Sequence, residues 1–223
     1  MADTAPQTEH KDPRVAAAIS HWAPRFVVNG VPLTDFKEVT ASISTWDEWC
    51  AAWSKRAAMH EALGNESLEQ GYRLSAGEHL TRAAVCYHFA KFLFVNDLAQ
   101  MKGAHMKAVE CRNRALPLID PPGERVAIPY EGKHLFGNLR KPKGVAKPPV
   151  VVMCMGLDSA KEEMDDYENR FLERGLATFA FDGSHRAVGC VARRLFRAAR
   201  CRLREACKGL RLTFWCLPAL DEF

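Results

Sequence analysis

The sequence predicts an α/β protein in which an all-helical N-terminal block leads into the first strands and one βαβ unit of an incomplete sheet. Three observations predict it. Val150 to Met155 is a short unbroken apolar run, the mark of a strand buried on both faces. A turn at Gly156-Leu157-Asp158-Ser159, a helical pattern stopped by Gly175 and a second apolar run from Ala177 to Phe181 follow it. Strand, turn, helix, strand makes a βαβ unit with parallel strands. Ahead of it, from Asp12 to about Leu116, apolar residues recur at helical spacing.

In chain order, residues 1–12 read as a disordered polar start. Asp12-Pro13 opens a helix, with the aspartate as cap and proline at the first helical position, and Pro24 is expected to cut that helix short. Val28-Asn29-Gly30-Val31-Pro32 reads as a turn. Thr45-x-x-Glu48 has capping-box spacing and opens a helix with Trp46, Trp49 and Trp53 on one face, which Leu63-Gly64-Asn65 should end. A second box, Ser75-x-x-Glu78, introduces a helix to about Val95. Leu80, Ala84, Tyr87, Phe89, Phe92, Leu93 and Phe94 surround most of its circumference, as in a buried helix. Asn96-Asp97 breaks the chain, and a helix from Leu98 to about Leu116 folds back as an αα-hairpin. Pro117 and Pro121-Pro122 form a stiff linker. Val126 to Tyr130 and His134 to Leu139, around a turn at Glu131-Gly132, read as a β-hairpin. Within the βαβ unit, Ser159-x-x-Glu162 is a third box. Met164, Tyr167, Phe171 and Leu172 should be the buried face of its helix, and Gly175 its left-handed stop. The boundaries are thus 1–12, a helical domain at 13–120, a partial sheet domain at 121–183, and a tail at 184–223.

Composition bounds the function. Hydrophobic residues are 48% and charged residues 26%, as in soluble globular proteins. No apolar run approaches the roughly 18 residues of a membrane helix, and the N-terminus has no signal-like apolar region. A cytoplasmic protein with no membrane partner is expected. The net charge of +4 is unevenly spread, because residues 184–223 hold eight Arg and one Lys against three acids. That segment also holds Cys190, Cys201, Cys207 and Cys216. Their spacing fits no zinc pattern, and His60, His79, His88 and His105 lack helical ligand spacing, so neither metal nor cofactor is expected.

Several separate passages carry a family resemblance. They are Trp22-Ala-Pro-Arg-Phe, Trp46-Asp-Glu-Trp-Cys, Leu74-Ser-Ala-Gly-Glu-His, Tyr87-His-Phe-Ala-Lys-Phe-Leu-Phe and Pro121-Pro-Gly-Glu-Arg-Val. Met155-Gly-Leu-Asp-Ser, Phe171-Leu-Glu-Arg-Gly-Leu-Ala-Thr and Phe181-Asp-Gly continue the set. Over about residues 13–183 the sequence resembles the α/β-hydrolase family that includes 2,6-dihydroxypseudooxynicotine hydrolase and related esterase-like proteins. The resemblance implies a helical cap domain before an α/β-hydrolase core, a small-molecule substrate, and a Ser, Asp, His triad. The implied reaction is cleavage of a C–C or ester bond beside a carbonyl. The loop after the third strand then supplies an oxyanion-hole amide. Here that loop is Gly156, Leu157, Asp158 and Ser159, with Leu157 the first choice of donor. Aromatic residues of the cap, Trp49, Trp53, Tyr87 and Phe92, are candidates for the substrate pocket, set against a plain core role.

After Phe181-Asp-Gly183 the resemblance ends. The sequence has no Gly-x-Ser-x-Gly; Ser75 reads as a helix cap, and Ser184 is followed by Arg186 where the elbow needs glycine. No catalytic triad can be assigned, and a truncated, inactive hydrolase with an exposed sheet edge at the 177–181 strand is expected, prone to self-association. The arginine-rich, lysine-poor tail reads as text from a shifted frame of G+C-rich DNA, helical or disordered. The alternatives are a helical peptide-binding module and a nucleic-acid-binding tail, the latter disfavoured.

Overall fold

The computed structural model describes residues 11–130, 133–156 and 158–182. Five helices form the first layer: α1 (Pro13–Val28), α2 (Leu33–Ala41), α3 (Trp49–Glu69), α4 (Arg73–Lys91) and α5 (Leu98–Ala115). Strands β1 (Gly123–Tyr130), β2 (Lys133–Arg140), β3 (Val150–Met155) and β4 (Ala177–Asp182) form one sheet, and α6 (Asp165–Leu172) links the last two. The strand order is β1-β2-β4-β3. The β1–β2 and β2–β4 pairs are antiparallel, and β3–β4 is parallel with Val150 beside Ala177 and Met155 beside Asp182.

Asp12 caps α1, its carboxylate accepting the Arg14 N–H at 2.8 Å. The disordered-start reading does not hold for residues 11 and 12: Lys11 Nζ donates to the carbonyls of Thr40 and Ile43 at 2.8 and 2.6 Å. Residues 1–10 and 183–223 lie outside the described residues, and with them the rest of the polar start and the basic tail. Pro24 does not shorten α1, which runs through it to Val28. The turn after it anchors Phe26, buried and stacked on Phe89 at 3.7 Å between ring centroids, and packing of that kind outweighs one lost helical bond.

Glu48 accepts the N–H groups of Ser44 and Thr45, as the first box requires. The helix it leads into does not stop at Gly64, which is a contact glycine. A Cβ there would stand 2.9 Å from Leu80 Cγ, so α3 and α4 approach closely at that point and α3 continues to Glu69. Ser75 is no cap either; α4 begins at Arg73, with Ser75 in its first turn. Asp97 does cap α5, accepting from Ala99 and Gln100 at 2.8 and 3.1 Å.

Residues from α1 to α5, among them Val15, Phe26, Phe36, Trp49, Trp53, Phe89 and Ala104, share one apolar core. The sheet keeps a separate core of Ile128, Leu139, Val150, Ala177, Phe179 and Phe181. The predicted edge is also corrected. Among the described residues β4 lies between β2 and β3 and is buried from Ala177 to Phe181, while β1 and β3 are the edge strands, with Cys154 of β3 exposed. Gly175, at φ +76°, ends the α6 segment as predicted. The face α6 turns inward is mixed: of the predicted face, Leu172 is buried, Met164 and Phe171 are half-buried and Tyr167 is exposed, while Glu168 is buried as well.

Candidate active site

In open α/β sheets, ligand sites form beyond the C-terminal ends of parallel strands. Here those ends are Met155 of β3 and Asp182 of β4, and the chain after Met155 is the Gly156–Ser159 loop. Leu157, the predicted amide donor, lies outside the described residues; Gly156, Asp158 and Ser159 are placed at the strand end.

A single arginine from the helical layer grips this loop. Arg25 Nη1 donates to Asp158 Oδ2 at 2.7 Å, and Nη2 donates to the Asp158 carbonyl, Ser159 Oγ and Glu163 Oε1 at 3.1, 3.0 and 2.9 Å. The guanidinium also sits 4.8 Å from the Phe92 ring centroid, a cation–π distance. Ser159 therefore serves as an acceptor for Arg25, and the residue that reaches back to a helix-start amide is Glu163 rather than Glu162, accepting Ala160 N–H at 3.3 Å.

Glu163 is fully buried. Beyond Arg25 it accepts Asn29 Nδ2 at 2.5 Å, and His88 Nε2 lies 3.4 Å from it. Burial pushes its carboxyl up, but His88 and Arg25 outweigh burial and hold it at about 2. Burial lowers His88, against the pull of Glu163. Beside this clamp, Lys161 donates its backbone N–H and its ammonium to Asp182 at 2.9 and 2.5 Å and pairs with Glu162 at 2.6 Å. Lys91 and His105 face the same acids, and burial lowers both. The strand ends thus carry a fixed loop, a buried anion and tethered cations under the helical layer.

Of the four aromatic candidates, only Phe92 reaches the clamp. Trp49 donates its indole N–H to the Phe89 carbonyl at 2.9 Å, and Trp53 is buried beside it. Tyr87 donates to Glu61 at 3.0 Å. Asp35, His60 and Cys86, from three helices, are close enough to share a metal ion. The Asp35 carboxylate is already engaged by His60 at 2.6 Å and Arg56 at 3.3 Å, and burial drives the Cys86 thiol upward, away from the thiolate a metal needs. Sequence reasoning missed Arg25, Asn29, His88 and Glu163. They come from α1, α4 and the loop after β3, and no local spacing links them.

The family described as "Esterase FrsA-like" matches residues 41–196, which reaches past Gly183. A 2,6-dihydropseudooxynicotine hydrolase of Paenarthrobacter nicotinovorans is 36% identical over 170 residues, covering 73% of this chain and 43% of that protein. The α/β-hydrolase xenA of Xenoacremonium sinensis is 34% identical over 142 residues, covering 60% and 33%. The crystal structure of the 2,6-dihydroxy-pseudo-oxynicotine hydrolase superposes with a TM-score of 0.73 at 29% identity, covering 86% of this chain and 55% of that one. The chain spans less than half the length of these two sequence relatives.

Proposed function

Because the chain belongs to the FrsA-like esterase family of α/β-hydrolases, we propose that it supplies the cap and oxyanion-loop portion of a serine hydrolase acting on a small molecule. The reaction is hydrolysis of a C–C or ester bond beside a carbonyl. The observation that carries this reading is the Gly156–Ser159 loop at the end of parallel β3, clamped by Arg25 under the helical layer. A tetrahedral oxyanion needs donors that do not reorganise as charge develops. Arg25 occupies the Asp158 carboxylate and carbonyl and Ser159 Oγ, which holds that end of the loop and removes those acceptors from the path of an anion. Leu157 N–H is the proposed donor.

These 223 residues contain no Gly-x-Ser-x-Gly elbow, so the nucleophile is not among them in its usual setting. The oxyanion half alone does not turn over substrate. With a fluorophosphonate probe the purified chain is expected to remain unlabelled, by in-gel fluorescence and by peptide mass spectrometry. Stoichiometric, heat-sensitive labelling of any serine would overturn the inactivity.

A further inference from the structure

A cavity of about 360 Å³ opens between the C-terminal end of α1, the first half of α4 and the start of α6. It adjoins the strand-end centre through Asn29 but is not that site, since Asp158, Ser159, Glu163 and Asp182 do not line it. Its wall carries four carboxylates, Glu78, Asp120, Asp165 and Asp166, against the two guanidinium groups of Arg82 and Arg140.

Most of these charges have partners. Arg140 donates to Asp165, Asn169 and the Pro121 carbonyl at 3.1, 2.8 and 2.9 Å. Asp165 also takes Arg112 at 2.7 Å, and Asp120 pairs with Lys143 at 2.5 Å. Glu78 has Arg82 at 3.9 Å, on the exposed rim. Asp166 has neither a hydrogen bond nor an ion pair among the described residues, although it is half-buried. Burial, and then the charge of Asp165, push its carboxyl up.

A second acceptor stands beside it. Asn29 is 2% exposed and lines the cavity; its Nδ2 is given to Glu163, and its Oδ1 is buried with no donor. Gly30 joins the two, because Asp166 Oδ2 lies 3.2 Å from where a Gly30 Cβ would be. A half-buried carboxylate with Arg82 and Arg170 near but no direct donor among the described residues, and a buried amide oxygen, therefore line the same cavity. Both can only accept hydrogen bonds, and an ammonium, with three donors and no acceptor, matches that need. The volume lies at the lower end of the range of small-molecule sites, enough for a short alkyl chain.

We propose that this cavity is a binding site for a small organic cation, a primary ammonium held by the Asp166 carboxylate and Asn29 Oδ1. The test uses the full chain and n-butylammonium chloride as probe, with n-butanol and sodium butyrate as isosteric controls. Binding is read by saturation-transfer NMR and by the shift in thermal midpoint. Saturable binding of butylammonium is expected, with neither control binding. Asp166→Asn keeps the shape and should weaken affinity about tenfold, as loss of one charge-assisted hydrogen bond does. Asp166→Glu should restore part of it, and Glu69→Gln, an exposed acid of α3 outside the cavity lining, should change nothing. Equal binding of butanol, binding indifferent to Asp166→Asn, or no butylammonium binding would each overturn the proposal. Binding of magnesium instead of the amine, dependent on Asp166, would overturn it too, in favour of a metal ion.

Discussion

Two buried glutamates, Glu163 and Glu168, show how partners decide the sign of a pKa shift. Both are fully buried. Glu163 meets donors on both oxygens and is held at about 2 despite burial. Glu168 takes Arg112 on Oε2 at 2.7 Å, but its Oε1 has no donor, and burial pushes it up to about 7 against Arg112 and Arg140. For Glu163 the folded value lies below the unfolded one, so its contribution is present above pH about 4.5 and is lost as pH falls toward about 2. That contribution is about 3 kcal/mol. For Glu168 the folded value lies above, so its contribution is present below pH about 4.5 and is lost as pH rises through about 7. Glu163→Gln should therefore be clearly destabilising at pH 7 and should flatten the acid limb of stability against pH. Glu168→Gln should cost far less at pH 8 than at pH 5 relative to the parent. Urea midpoints measured from pH 3 to pH 8 check both, and equal pH profiles for the two variants would contradict this assignment. No local pattern distinguishes these acids. The sequence shows Glu162 and Glu163 side by side, and only the arrival of Arg25 and Asn29 from α1 selects Glu163.

At the scale of elements, capping chemistry was legible where nothing distant opposed it. Asp12-Pro13, Thr45-x-x-Glu48, Asn96-Asp97 and Gly175 mark element ends as read, because each cap is satisfied by groups within a few residues. Pro24 and Gly64 misled for one reason: their local signal says stop, and packing between helices says continue; Ser75 misplaced the start of α4 by two residues. The α6 face misled only in part: Leu172 is buried as read, but Tyr167 is exposed and Glu168 is buried to answer Arg112 and Arg140. Gly64 allows a direct test. Alanine has the better helix propensity by about 1 kcal/mol, so an isolated α3 would be stabilised by Gly64→Ala. In the folded chain the new Cβ would lie 2.9 Å from Leu80 Cγ and 3.4 Å from the Ala76 carbonyl oxygen. The helices must separate or Leu80 must move, at about 1–3 kcal/mol. A net loss of stability is expected in urea unfolding, and Leu80→Ala should cost less in the Gly64→Ala background than in the parent, because it removes the obstruction along with the buried side chain. A Gly64→Ala variant more stable than the parent would mean that α3 and α4 are not in contact there.

Across the whole molecule, the helical layer and the sheet keep separate apolar cores, and polar clusters hold much of the seam between them. One cluster is the Arg25 clamp. The other sets Arg112 of α5 and Arg140 of β2 against Asp165 and Glu168 of α6, with all four side chains at most 18% exposed. Such a seam is brittle. Replacing a whole buried ion cluster by apolar groups is often harmless, but removing one member strands the others without compensation and costs about 3–5 kcal/mol. Arg112→Met removes the cation that α5 contributes and keeps most of its volume. Asp165 then relies on Arg140 alone, and Glu168 loses its 2.7 Å partner. The damage should concentrate at the seam, because neither apolar core contains Arg112. Native-state hydrogen exchange separates this outcome from a general loss of stability. In the parent, amides of α4, α5 and β4 should exchange through one cooperative opening. In Arg112→Met, β4 and α6 should lose protection at low denaturant while the core of α3 and α4 keeps it. Parallel loss across both layers would show that they unfold as one unit, and that the apolar contacts, not the arginines, join them.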